Sequence, residues 1–330
     1  MTASSKPRES SSDHDQRLKT LLKEFLPDFF HLFFPDWAAA LNFRKVTWLE
    51  QEVFPDPPDG RRRAADLVAQ VQTKVPFRTS ELGPSRHFVA LIHIELEANK
   101  SVVVMRQRMH DYYDGLRKKY RQPVLPIAVF VNVGLDGVGT DVFSEQIAAE
   151  SGAPKLETLS FQYLYVGLPA LEASRYVESE YVLAAGLSSL MKTPAGELVA
   201  MKAKALRQIA RRCQNHRQQF LLTECVQAYH PLDQVQEGEL QDLFKTPQFQ
   251  ETENMAVTFF EHGVEKGIEK GIEKGKREIV KLLLEDRFGA LPKKTIELIN
   301  AWPEKAIVKL VRLATQIESL SELKSSRQKK

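Results

Sequence analysis

The sequence predicts a mixed-sheet α/β core followed by an all-helical C-terminal half. Three observations predict it. Residues 43–97 hold three consecutive strand-like runs: "FRKVTWLEQEVF" (43–54), "RAADLVAQVQT" (63–73) and a run from about 87 that ends in "HIELE" at 97. Residues 101–120 then switch to helical period, and "VLPIAVFVNV" (124–133) follows as a nearly continuous apolar run, which suits a strand buried on both faces. From about 169 onward the pattern stays helical.

Residues 1–14 are Ser-rich and charged, and are expected to be disordered. Between 18 and 34 the residues Leu18, Leu21, Leu22, Phe25, Phe29 and Phe33 recur at helical spacing, with Pro27 predicting a kink or a division into two helices. "PDPPDG" at 55–60 is expected to turn the chain. Three strands in succession favour an antiparallel meander. The strand–helix–strand unit that follows favours a parallel crossover. The helical stripe over 101–120 is Val102, Met105, Met109, Tyr112, Tyr113, Leu116 and Tyr120. After 133 a loop is expected, then a last strand "FQYLYVGL" at 161–168. Helical stretches are expected over 169–191, 196–229 and 250–262. The repeat "GVEKGIEKGIEKGKRE" starting at 263 predicts a Gly-rich connector helix over 263–276, with glycines at 263, 267, 271 and 275. Each glycine costs a helix about 1 kcal/mol against alanine. A glycine stripe also lets a second helix approach closely, so the connector is a candidate for homo-oligomer contact; the other reading is a solvated linker. Residues 277–323 carry short helical patterns punctuated by Gly289, Pro292, Trp302 and Pro303, and are expected to form a small helical domain before a basic tail at 324–330.

Composition bounds the function. The chain has 330 residues, enough for about two domains, and 43% of them are hydrophobic. A net charge of +3 permits nucleic-acid binding without arguing for it. Two cysteines, Cys213 and Cys225, exclude a disulfide framework and fit no metal-ligand spacing. The polar start "MTASSKPRESSSDHDQ" lacks the apolar core of a signal peptide, and no apolar stretch approaches a membrane span. A cytoplasmic protein with no membrane partner is expected. P-loop, dinucleotide and Gly-x-Ser-x-Gly patterns are absent.

The chemistry concentrates in "HIELEANK" (93–100). On a strand, His93, Glu95 and Glu97 share one face, with the two glutamates roughly 6–7 Å apart. Like charges there repel and are costly to desolvate. Asp66 enters the preceding strand, so three carboxylates can converge if the strands pair. Mg²⁺ is a hard cation that takes carboxylate oxygens and keeps several waters. It would relieve the repulsion and activate a water against a phosphodiester. The other reading is a solvated face on an edge strand.

Three stretches carry a family resemblance: "LKTLLKEFLPDFFHLFFPDWAAALNF" (18–43), "GRRRAADLVAQV" (60–71) and "FVALIHIELEANKSVVVMRQRMHDYYDGLRKKYRQPVLPIAVF" (88–130). Together they resemble the Rpn (YhgA-like) family of recombination-promoting nucleases and putative transposases, within the PD-(D/E)XK nuclease superfamily. Residues 281–323 resemble a helical domain of unknown function appended to such proteins in bacteria. The resemblance covers about 15–170 and 277–323. It implies a restriction-endonuclease-like domain over 15–170, a helical extension over 171–262, and Mg²⁺- or Mn²⁺-dependent cleavage of DNA in recombination. It implies Asp66 and Glu95 as metal ligands, with Glu97 at the position where the family carries Gln or Lys. Glutamate there brings no positive charge; it either adds a metal ligand or marks a weakened site. Lys100, three residues on, is a candidate to reach back, and Arg106 and Arg108 in the next helix are candidates to meet DNA phosphates. His93 reads as a half-buried polar residue. The alternative to a nuclease is a non-catalytic DNA-binding or assembly protein on a degenerate nuclease fold.

Overall fold

The computed structural model of the chain describes residues 11–49, 53–56, 61–64, 66–75, 89–97, 101–147, 155–249, 252, 277–289, 291–300, 302, 307–317, 319–320 and 322–323. The chain divides into two compact units, Met1–Met255 and Ala256–Lys330. The expected connector over 263–276 lies outside the described residues.

The first unit is mixed α/β, with a six-stranded sheet ordered β1-β4-β5-β6-β8-β7 and flanked by helices. Its first two helices are α1 (Ser11–Glu24) and α2 (Leu26–Phe33), and the break falls where Pro27 enters the first turn of α2. Leu18, Leu21, Leu22, Phe25, Phe29, Phe30 and Phe33 are buried. α3 (Pro35–Ala40) again begins on a proline and delivers the chain into β1 (Leu41–Trp48).

The expected strand over 43–54 does not run through. β1 ends at Trp48, and β2 (Val53–Asp56) leaves to pair with β3 (Arg61–Ala64) in a separate two-stranded sheet. Pro55 and Asp56 of the "PDPPDG" segment belong to β2, and the expected turn over 57–60 lies outside the described residues. Likewise the run over 63–73 is cut, and only β4 (Leu67–Thr73) joins the main sheet. β4 pairs antiparallel with β1 and with β5 (Val89–Glu97), which is the meander the sequence favours. α4 (Val102–Tyr120) starts on Ser101, whose side chain accepts from Val104 N–H at 3.4 Å, and ends on Arg121 in the left-handed region at φ 51°. It crosses to β6 (Val124–Phe130), parallel to β5.

The expected loop after 133 is largely a strand. β7 (Gly137–Ile147) forms an antiparallel hairpin with β8 (Leu156–Gly167), and β8 runs parallel to β6. Gly167 is required at this junction: a Cβ there would sit 1.7 Å from the Leu135 carbonyl oxygen. α4 covers one face of the sheet through Met105, Met109, Tyr112 and Leu116, packed on Leu91, Ala128, Phe130, Phe161 and Tyr163.

After β8 the described elements of this unit are helical: the short α5 (Ala173–Tyr176) and α6 (Leu183–Leu187), then α7 (Leu198–Arg212), α8 (His216–Tyr229) and α9 (Gln234–Phe244). The expected helix over 196–229 is two helices, because Asn215 caps α8 by accepting from Arg217 and Gln218 N–H. α9 lies inside the helical extension expected over 171–262, between the stretches named for it. It opens on a capping box at Asp233 and Gln236. α8 packs on α1 and α6 on α2. The Glu24 side chain accepts from Gln218 Nε2 at 3.1 Å, and Asp28 from Leu183 N–H at 3.4 Å. Within the first unit, α6 and α8 thus share a core with α1 and α2. Cys213 and Cys225 are free and buried, and burial pushes the Cys225 thiol up to about 12.

The second unit holds α10 (277–288), α11 (Lys293–Asn300) and α12 (Ile307–Gln316). Gly289, at φ +74°, closes α10 through its N–H to the Glu285 carbonyl. Val280, Leu284, Ile299, Trp302, Leu310, Ala314, Ile317 and Leu323 form its core. No helix among the described residues is long and apolar enough to cross a membrane.

Candidate active site

β5 is third of six strands in the sheet, so the "HIELE" stretch is central. Glu95 is 2% exposed and Glu97 5%, which rules out a solvated edge face. The question of what offsets two buried like charges becomes one of their neighbours.

The β4–β5 ladder runs out at Leu67 opposite Ile94. Continuing that antiparallel register puts Asp66 opposite Glu95. There the pairing passes from main chain to side chain. Asp66 N–H donates to Glu95 Oε1 at 2.8 Å, and Leu96 N–H donates to Asp66 Oδ2 at 2.9 Å. Each acid is held by a main-chain N–H of the neighbouring strand.

Cations complete the cluster. Lys19, from α1, reaches Asp66 Oδ1 at 2.7 Å and Asp15 at 2.5 Å. Arg108, from α4, sets Nη2 at 2.9 Å from Glu97 Oε2 and 3.5 Å from Glu95 Oε2, with Met105 Sδ at 3.2 Å. His93 is fully buried, and its Nε2 stands 2.9 Å from Glu95 Oε1. His93 Nδ1 has no hydrogen-bond partner among the described residues. Tyr112 packs edge-on against the imidazole at 5.4 Å.

Among the described residues, Asp15, Asp66, Glu95 and Glu97 lie against Lys19 and Arg108. Burial, and next the charge of Glu95, push Asp66 up to about 6, against the pull of Lys19 and the Leu96 N–H. Burial works against the ammonium of Lys19, but hydrogen bonds to Asp15 and Asp66 outweigh it and hold Lys19 above its ordinary value.

The other expected site residues fall as follows. Arg108 is buried, with its guanidinium turned onto Glu97 and Glu95 rather than to solvent. Arg106 grips Asp141 of β7 with two hydrogen bonds of 2.8 Å, and Tyr163 also donates to Asp141. Burial opposes ionisation of Asp141, but the bonds from Arg106 and Tyr163 prevail and lower it. Lys100 lies outside the described residues. Lys19 was missed by the sequence reading. Its one signal was Asp15 four residues earlier, on the polar side of the Leu18, Leu21 and Leu22 stripe.

Among the described residues no three His, Cys, Asp or Glu side chains form a ready metal cage. Asp66 and Glu95 still meet the requirement of a hard divalent cation, which is commonly bound through one or two carboxylates with waters and substrate phosphates. Asp66, at 16% side-chain exposure, is the carboxylate of the three that opens most to solvent.

Comparison with family models, curated proteins and solved structures gives no match.

Proposed function

We propose that this chain is a metal-dependent DNA endonuclease of the PD-(D/E)XK type, resembling the Rpn proteins, on a restriction-endonuclease-like domain with a helical C-terminal half. The observation that carries the reading is the exchange of bonds between Asp66 and Glu95–Leu96 at the end of β4 and β5. It fixes two carboxylates side by side, one of them partly open to solvent. A Mg²⁺ or Mn²⁺ ion bound there supplies Lewis-acid charge and an activated water for phosphodiester hydrolysis. Asp66 and Glu95 hold the ion. Lys19 balances part of the charge on Asp66, and His93 orients Glu95 through Oε1. Glu97 is absorbed by Arg108 and brings no donor to the phosphate.

That last feature favours a second reading, a DNA-binding protein that does not cut. Incubation of the pure protein with supercoiled plasmid in Mg²⁺, in Ca²⁺ and in EDTA separates the two. Nicking in Mg²⁺ alone, lost in Glu95→Ala, supports the endonuclease. Gel retardation without nicking in any condition supports the binding protein.

A further inference from the structure

The Glu95–Glu97 pair raises a problem that the chain has already solved without a metal. Both side chains are almost wholly removed from water, where two like charges are unfavourable unless paired. Arg108 is the pairing group. It projects from the inward face of α4, among Met105, Met109 and Tyr112, and is itself only 8% exposed. One nitrogen, Nη2, stands against both acids, at 2.9 Å from Glu97 and 3.5 Å from Glu95.

We propose that Arg108 is a built-in counter-cation that competes with divalent metal for this carboxylate cluster, so that Glu97 belongs to arginine and only Asp66 and Glu95 remain to take the ion. The inference rests on the metal-site reading above and deepens it. Three consequences follow from charge and distance. The metal-free protein is held together at this point by Arg108. Metal affinity is set low, because any ion on Glu95 must share that carboxylate with a guanidinium. And Glu97 affects the ion through Arg108 rather than by ligating it. Arg108 is thus a positioning residue: it sets the charge and the orientation of the ligand Glu95 without touching substrate.

The test is a set of Mn²⁺ titrations of the full chain, read as the loss of the free Mn²⁺ signal in electron paramagnetic resonance, beside thermal melts of the metal-free protein. Arg108→Gln is expected to tighten Mn²⁺ binding about tenfold, since the guanidinium, 3.5 Å from Glu95 Oε2, would repel a divalent charge on that carboxylate even with water-like screening. It is also expected to lower the metal-free melting temperature. The double variant Glu97→Gln/Arg108→Gln removes one charge of each sign, isosterically at 97 and with a shorter side chain at 108. It is expected to melt above Arg108→Gln, because no unpaired charge is left, and to bind Mn²⁺ at least as tightly as the wild type. An Arg108→Gln protein whose Mn²⁺ affinity is unchanged or weaker overturns the proposal. So does a double variant that binds Mn²⁺ much more weakly than the wild type, because Glu97 would then be a ligand. Failure of both the wild type and Arg108→Gln to bind Mn²⁺ overturns the metal-site reading together with the competition. Binding by the wild type that Arg108→Gln leaves unaltered overturns the competition alone. The double variant keeps the test open should Arg108→Gln fail to fold.

Discussion

Replacing Asp66 with asparagine should make the metal-free protein more stable at neutral pH, although Asp66 is a candidate ligand. The carboxyl of Asp66 stands at about 6 in the fold against 3.8 for the free side chain. Between those two values the folded state keeps a proton that the unfolded chain has already released. The native state therefore binds more protons in that window, and stability falls as pH rises from about 4 to about 6. Above 6 the loss is complete. At 1.36 kcal/mol per pH unit, it amounts to about 3 kcal/mol at pH 7. Asparagine stands in for the protonated form. It keeps a carbonyl oxygen for the Leu96 N–H and cannot ionise. Lys19 loses one partner and keeps Asp15. The gain at pH 7 is thus at most about 3 kcal/mol.

Urea unfolding in EDTA at pH 7 and at pH 4 measures the effect. Asp66→Asn should exceed the wild type at pH 7, and the advantage should largely vanish at pH 4, where the wild-type acid is protonated in the fold. Saturating Mn²⁺ should close most of the gap. A hundredfold excess over the dissociation constant stabilises the wild type by about 2.7 kcal/mol and should leave the asparagine variant unmoved. An Asp66→Asn protein no more stable than the wild type at pH 7, or stabilised equally at both pH values, would refute the reasoning.

Glu97→Lys, which sets a basic residue beside the carboxylates, should not raise plasmid nicking. It sets a second cation against Arg108 and breaks a buried pair, at a cost of about 3–5 kcal/mol in thermal or chemical unfolding. A fully stable Glu97→Lys protein that nicks plasmid faster than the wild type would contradict the pairing. In the second unit, Arg287 donates to the Ala314 and Ile317 carbonyls at 2.7 and 2.8 Å, closing the end of α12. Arg287→Met should cost that unit about 3 kcal/mol, since hydrogen bonds to charged groups are the stronger kind, while the tryptophan-reported melt of the first unit stays where it was. Trp302 reports the second unit and Trp37 and Trp48 the first, so single-tryptophan versions separate the two transitions.

The strands that the sequence shows clearly are those whose inward residues are apolar. β5 and β6 place Leu91, Ile92, Ile94, Ile127 and Val129 in the core, and their runs are plain to read. β7 was invisible for the opposite reason. Its sheltered positions are Gly137, Gly139, Asp141 and Phe143, and its Val138 and Val142 are exposed. Gly139 is small because Tyr165 of β8 lies over it, 3.2 Å from where a Cβ would stand, and Asp141 is admitted because Arg106 and Tyr163 satisfy it. A strand whose inward residues are defined by their partners leaves no alternating apolar signal.

The same logic governs the site. Two glutamates on a central strand were legible as an anomaly, and Asp66 as their neighbour, because strand period and register are local properties. What neutralises them was not legible, since Lys19 and Arg108 arrive from separate helices. Arg108 nevertheless left a trace. It falls three residues after Met105 and four before Tyr112, on the stripe of α4 that is otherwise apolar and buried. Arginine on such a stripe is unfavourable unless an acid faces it across the interface. The strand that α4 covers carries just such acids. An arginine on the inward face of a crossing helix and a carboxylate pair on the covered strand are two halves of one ion cluster: the arginine read alone calls for an acid, and the carboxylates read alone call for a cation.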